Sequence, residues 1–337
     1  MLFLIFGSLL AAGAFIAVES DGDDDIAGAE YLGDDEDNFF SGTTGDDYIS
    51  LGGGDDVALG DDGNDTILGG EGDDLFGGFG GDDSLDGQEG NDSISGGGGN
   101  DTLNGGDGND VLEAEGGYDR VIGGDGSDVM LGGYGDDVMS GNLGADYMQG
   151  DQMNDSLDGG YGNDGLHGGE GSDTLDGGAG NDLLNGGHTL FSEVPLTSTE
   201  LMNAINDGLR INSIGDRFDV IVDDGQVDEL DGGDGNDTLI GGAGDLLTGG
   251  AGADEFTTGT WLDGGVPVVR DFDGSEDLIV YRYESGAMPE MSFDTSINSD
   301  GTLDVTLMAD GTPVMMIEDL AGDFSLDDHV QLRREMA

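Results

Sequence analysis

Sixteen aspartates stand at a strict nine-residue spacing: Asp47, Asp56, Asp65, Asp74, Asp83, Asp92, Asp101, Asp110, Asp119, Asp128, Asp137, Asp146, Asp155, Asp164, Asp173 and Asp182. Three more, Asp228, Asp237 and Asp254, recur in a shorter block further on. The chain has no Cys and only three His, so a ligand set built here is all oxygen. Hard cations choose such sets, and calcium accepts irregular mixtures of carboxylates and backbone carbonyls. Magnesium demands a tight octahedron and sheds water reluctantly. Calcium, in multiple copies on these nineteen aspartates, is therefore the expected cofactor.

The elements that must position the acids follow from the period. With position 1 at Gly33, seventeen units run without a gap to residue 185. Position 6 is Asp in sixteen of them, with Asn38 in the first, and position 8 is apolar in all seventeen, from Phe40 and Ile49 to Leu184. Position 1 is Gly except at Leu51 and Ala114; position 4 is Gly except at Glu36 and Met153. A degenerate unit at 223–231 precedes GGDGNDTLI (232–240), an eight-residue unit (241–248) and GGAGADEFT (249–257).

Glycine at positions 1 and 4 predicts a loop over positions 1 to 6, with positive φ at those glycines. Positions 7 to 9 are too short for a helix and suit a three-residue strand. Alternation then turns position 8 inward and positions 7 and 9 outward. Thr66, Ser84, Ser93 and Thr102 fit the outward set, and His167 at position 9 reads as a surface residue. Val129, Val138, Leu59 and Leu131 are apolar exceptions, either a partner patch or incidental exposure.

If two units make one flattened coil, units n and n+2 lie in parallel about 4.8 Å apart, giving a rod ~40 Å long. One apolar side chain per nine ordered residues cannot offset the conformational entropy. Repulsion among the acids adds to the deficit. Cation binding must therefore supply folding free energy. One ion per stacked pair of loops sets a ceiling of about 15 for the long block. Met153 at position 4 and Tyr118 at position 5 mark loops that leave the pattern.

Composition points the same way. Of 337 residues, 71 are Gly and 76 are Asp or Glu, against seven basic residues, and the formal net charge is −69. Nucleic acid is excluded as a partner by phosphate repulsion. Small cations are the natural partners, and without them the chain should be an expanded polyanion.

These units resemble the RTX family, whose repeat is G-G-x-G-x-D-x-U-x with U a large apolar residue; GGDGNDTLI matches every position. The resemblance implies an all-β fold: a right-handed parallel β-roll, or solenoid, of nonapeptide repeats filled with calcium. In it the position-6 carboxylates and loop carbonyls are the ligands. It also implies type I secretion guided by an uncleaved C-terminal signal. Beyond residue 257 the chain is similar to the roll-closing region of serralysin-like secreted proteases, through ADEF (253–256) and VVRDFDGSEDLIVY (268–281).

Five regions are expected. Residues 1–20 hold an apolar run at 2–18 with no Lys or Arg before it, either a membrane anchor or a signal peptide. The long roll spans 21–187. Residues 188–222 form an insertion in which Thr197-x-x-Glu200 and the apolar spacing after it predict a short amphipathic helix near 198–209. That helix either covers a flank of the roll or binds a partner. The second block is 223–257. Residues 258–337 read as a C-terminal β cap, with strands at 277–283, 302–308 and 313–317 and an Asp310-Gly311 hairpin turn.

Catalytic patterns are missing from the sequence. His167, His188 and His329 do not form H-E-x-x-H, no G-x-S-x-G elbow occurs, and the glycine loops carry acid where phosphate would sit. The expectation is a non-enzymatic, secreted or cell-surface calcium-binding structural protein. An adhesin or surface-layer component tethered by the N-terminal segment, and a folding or secretion module serving a separate enzyme, are the alternatives. Ice binding by a Thr ladder is refused, because position 3 carries Thr only at Thr44.

Overall fold

The structure is a computed structural model that describes residues 28–190, 220–222, 225–260, 262, 265–283, 287–298, 301–320 and 324–334. The apolar run at 2–18 and the helix expected at 198–209 lie outside the described residues.

Among the described residues, successive strands of the roll go alternately to two sheets, of 15 and 13 strands. In one, Ile49 pairs with Ile67, Ile67 with Leu85 and Leu85 with Leu103, all in parallel. In the other, Phe76, Ile94, Leu112 and Met130 pair in the same way. Each strand thus joins the one two units on, and two units make one winding of a solenoid of about 11 turns. Position 8 fills the space between the sheets, with Ile49, Ile67, Phe76, Leu103, Leu112, Met130 and Leu184 fully buried. The all-β parallel roll expected from the repeat is the observed architecture.

The strands are longer than the repeat suggested. Tyr48–Gly53 and Thr66–Glu71 each have six residues and run from position 7 to position 3 of the next unit. Pairing continues there, Gly52 with Gly70 and Gly53 with Glu71. Positive φ falls at positions 2 and 4, as at Gly70 (125°) and Gly72 (124°), and position 1 keeps an ordinary φ. Position 1 faces the interior instead. Its two non-glycine occupants, Leu51 and Ala114, are fully buried. A strand before the first repeat, Glu30–Leu32, also escaped the periodicity; it puts Tyr31 into the core with its ring centroid 5.7 Å from that of Phe40.

The second block stacks directly on the first: Leu175 pairs with Leu230 and Leu184 with Leu239. Between them the chain leaves the roll after Gly187. Strands His188–Leu190 and Val220–Val222 pair antiparallel, and the chain re-enters to reach Asp228. The excursion therefore sits inside one repeat, which Gly186 begins and Asp231 completes.

Strand Gly165–Glu170 contacts the His188–Leu190 strand. On this flank the outward residues Val129, Tyr147, His167, Leu183 and Asn185 are buried. The expectation that His167 is a surface residue is overturned, and Val129 is not incidentally exposed. The His167 ring lies against Tyr147, centroids 5.4 Å apart, and its Nδ1 is 3.3 Å from Asn185 Nδ2. Burial lowers its pKa to about 4.

At the C-terminal end, Leu278–Tyr283 and Val330–Arg334 extend one sheet in parallel. Thr312–Leu320 joins the other sheet in parallel, and Leu303–Ala309 and Met291–Ile297 continue it antiparallel. Asp310 (φ 49°) and Gly311 (φ 77°) make the expected tight turn. This cap buries Val305, Leu307, Met315 and Ile317. Phe272 packs among Phe256, Phe324 and His329, the last from the four-residue helix Leu326–His329.

Candidate metal centre

Position 6 is the residue on which each loop turns into its strand. Its backbone N–H points along the roll and donates to Oδ1 of the aspartate two units on. Asp47 donates to Asp65 (2.7 Å), Asp65 to Asp83 (2.7 Å) and Asp83 to Asp101 (2.8 Å). In the other row Asp56, Asp74, Asp92 and Asp110 do the same. The rows cross the insertion intact, from Asp173 to Asp228 (2.9 Å) and from Asp182 to Asp237 (2.8 Å). All nineteen aspartates picked out by spacing lie in these two columns and are buried, at most 3 % exposed.

The second carboxylate oxygen has a different fate. Oδ2 of Asp56, Asp65, Asp74, Asp83, Asp92, Asp101, Asp110, Asp119, Asp128, Asp137, Asp146, Asp155, Asp164, Asp182 and Asp237 is buried with no hydrogen-bond partner. An anionic oxygen left so is costly unless a cation meets it.

Glycine at position 1, present in all these loops but those of Leu51 and Ala114, keeps the space beside that oxygen open. At Gly105 an added Cβ would lie 2.3 Å from Asp110 Oδ2 and 2.6 Å from the carbonyl oxygen of Gly123, one winding on. At Gly60 the corresponding distances are 2.2 Å to Asp65 Oδ2 and 2.8 Å to the Gly78 oxygen. A carboxylate oxygen and a carbonyl oxygen of successive coils thus border one small space, which a methyl group would fill. Among the described residues no group of three or more His, Asp and Glu side chains converges on a common point. A cage at this place draws on one carboxylate oxygen per loop and on backbone carbonyls.

The electrostatics fit the same reading. Burial raises the carboxyl pKa of Asp74, Asp92, Asp110 and Asp128 to about 7, and of Asp146, Asp155 and Asp182 to about 8. Neighbouring acids add to the rise in all of these, and the accepted backbone N–H opposes it throughout. Buried anionic oxygens beside carbonyls, with no Lys in the chain to neutralise them, suit a hard divalent cation.

A second ladder, which the sequence reading left without a role, runs outside the first. At position 5, Asn91 donates to Asp73 Oδ1 from both its backbone N–H (2.8 Å) and its Nδ2 (2.9 Å). Asn109 repeats this on Asn91, and Asn181 on Asn163. The recurrence of Asn or Asp at position 5 was the available signal. Two column members were also missed. Asp245 accepts from the Asp228 N–H and Asp277 from the Asp254 N–H. Asp245 sits in the shortened unit. Asp277 lacks the glycines, although Ile279 stands two residues on, as position 8 would.

A family model described as the RTX calcium-binding nonapeptide repeat, in four copies, matches the chain in nine overlapping or separate stretches. Eight of them, beginning with 32–67 and ending with 149–184, leave no gap; the ninth is 213–245. Together they cover more than half of the chain. No curated protein matches it.

Proposed function

The chain belongs to the RTX family of calcium-binding nonapeptide repeat proteins, and on that premise we propose that it is an extracellular structural protein whose roll winds up on calcium after export. One observation carries the reading: from Asp56 to Asp164 a buried Oδ2 without a partner recurs at nine-residue steps, alternately in the two columns. In the proposed mechanism, Oδ1 of each aspartate fixes its own side chain on the N–H of the preceding coil. That bond aims Oδ2 at the carbonyl of the following coil. Glycine at position 1 keeps the space between them clear. A calcium ion bound there would supply the positive charge that offsets the desolvated carboxylate and ties two windings together.

Folding and ion binding are then one equilibrium. Where calcium is scarce the polyanion stays extended and fit for passage through a type I export channel. Where calcium is millimolar, affinities of ~10⁻⁴–10⁻³ M typical of extracellular modules suffice to wind the roll. Far-UV circular dichroism during calcium titration tests this. The expected result is a coil-like spectrum in EGTA and a cooperative gain of β signal with calcium; equal β signal in both conditions refutes the proposal. Residues 2–18 decide whether the protein is released or tethered. Mass spectrometry of the native N-terminus separates the two.

A further inference from the structure

Both aspartate columns have two ends, and the four end loops share a construction that the interior loops lack. At the N-terminal end the Thr43 N–H donates to Asp47 Oδ2 (2.6 Å) and the Asp34 N–H to Asn38 Oδ1 (3.1 Å). At the C-terminal end the Gly242 N–H donates to Asp245 Oδ2 (2.5 Å) and the Asp273 N–H to Asp277 Oδ2 (2.7 Å). Each donor is position 2 of the same loop. The oxygen left bare in the interior is satisfied here from within its own loop.

The backbone shows why the interior differs. Interior position 2 lies in the left-handed region, at Gly52 (103°), Gly106 (109°) and Gly124 (123°). It does so even without glycine, at Asp61 (78°), Phe79 (78°), Gln88 (77°), Glu115 (73°) and Asn142 (72°). Such residues resist that conformation by roughly 1–2 kcal/mol, so stacking between two coils imposes it. Asp34, Thr43, Gly242 and Asp273 keep ordinary φ values. Among the described residues an end loop has an acid-bearing neighbour on one side only, and its position-2 N–H turns inward to the side-chain oxygen.

We infer that these four loops are ion-free closures: the intraloop N–H takes the coordination place that calcium takes in the interior, and the chain itself bounds the ion column. The inference rests on the calcium reading proposed above. It removes Asp47 from the ligands expected from spacing and keeps Asp245 and Asp277 out of the ligand set, although both continue the columns. In the Asp47 row the bounded column begins at Asp65.

The test counts calcium on the full chain by native mass spectrometry at saturating calcium. Asp277→Asn and Asp245→Asn should carry the wild-type number of ions, and Asp110→Asn at least one fewer. Loss of an ion from either end variant overturns the inference. A wild-type chain that takes up no calcium overturns instead the reading beneath it. Should the C-terminal variants fail to fold by circular dichroism, Asp47→Asn decides the matter, since Asn38 already occupies the equivalent end of the other column. There an unchanged count supports the closure and a lower one refutes it.

Discussion

Between residues 48 and 170 the interior of the roll is one side chain deep, and each inward residue such as Leu103 or Leu112 alternates along the chain with a buried carboxylate. The cap beyond residue 265 is built otherwise. Val305, Leu307, Val314, Met315 and Ile317 pack together there, and Phe272 makes tilted ring contacts with Phe324 and with Phe256 of the last repeat. The last carboxylate of its column, Asp277, has both oxygens hydrogen-bonded. Stacked loops are joined coil to coil through buried carboxylates that accept backbone N–H groups, whereas the cap gains cohesion from apolar burial. The same two sheets run through both regions, so strand pairing alone does not distinguish them.

The largest effect that could break this contrast is ion removal. In EGTA, hydrogen exchange should show amides of 48–185 losing protection by more than about 100-fold, and amides of 303–320 losing much less. Uniform loss across both regions would erase the distinction. Acid should partly replace the ion. The stacked carboxyls have pKa values raised from 3.8 to about 7 at Asp110 and about 8 at Asp146 and Asp182. The stacked state therefore holds protons that the unfolded chain releases. That contribution is present at low pH and is lost as pH rises from the unfolded value through the folded one. In EGTA, lowering pH from about 8.5 to about 6 should restore β signal in the roll, and no recovery would contradict the burial argument.

A smaller, local effect separates the regions by mutation. Phe272→Ala should destabilise the cap by roughly 3–5 kcal/mol in denaturant melts at saturating calcium, leaving the ion count unchanged. Smallest is the outer ladder: Asn109→Ala should cost about 1 kcal/mol, with little change in the calcium midpoint. A large midpoint shift there would mean that the outer ladder and the ion column are not separate.

Much of the roll was legible because its unit is short and each unit resembles the one it stacks upon. The phase of Asp110 and Leu112 fixes which side chain turns inward, and that phase needs only one repeat. What escaped depends on the neighbouring coil. Strand pairing at positions 2 and 3 exists only once Gly52 lies against Gly70. Glycine at position 1 answers to a carboxylate of its own loop and a carbonyl one winding away, not to φ. His167 looked outward by alternation and is outward by strand geometry, but its flank is covered beside a hairpin that begins 21 residues later. Asp277 lacks the glycines of the repeat and keeps only the spacing from Asp273 and to Ile279. In the cap, Met291–Ile297 and Val330–Arg334 went unread because no period marks them.

The hairpin neck at His188–Leu190 and Val220–Val222 brings the two ends of a long excursion side by side while Asp173 and Asp228 still meet at 2.9 Å. Loop-closure entropy grows only slowly with length, by about 0.6 kcal/mol per doubling. The length of chain between these two strands can therefore vary at little entropic cost to the pairing of the windings on either side.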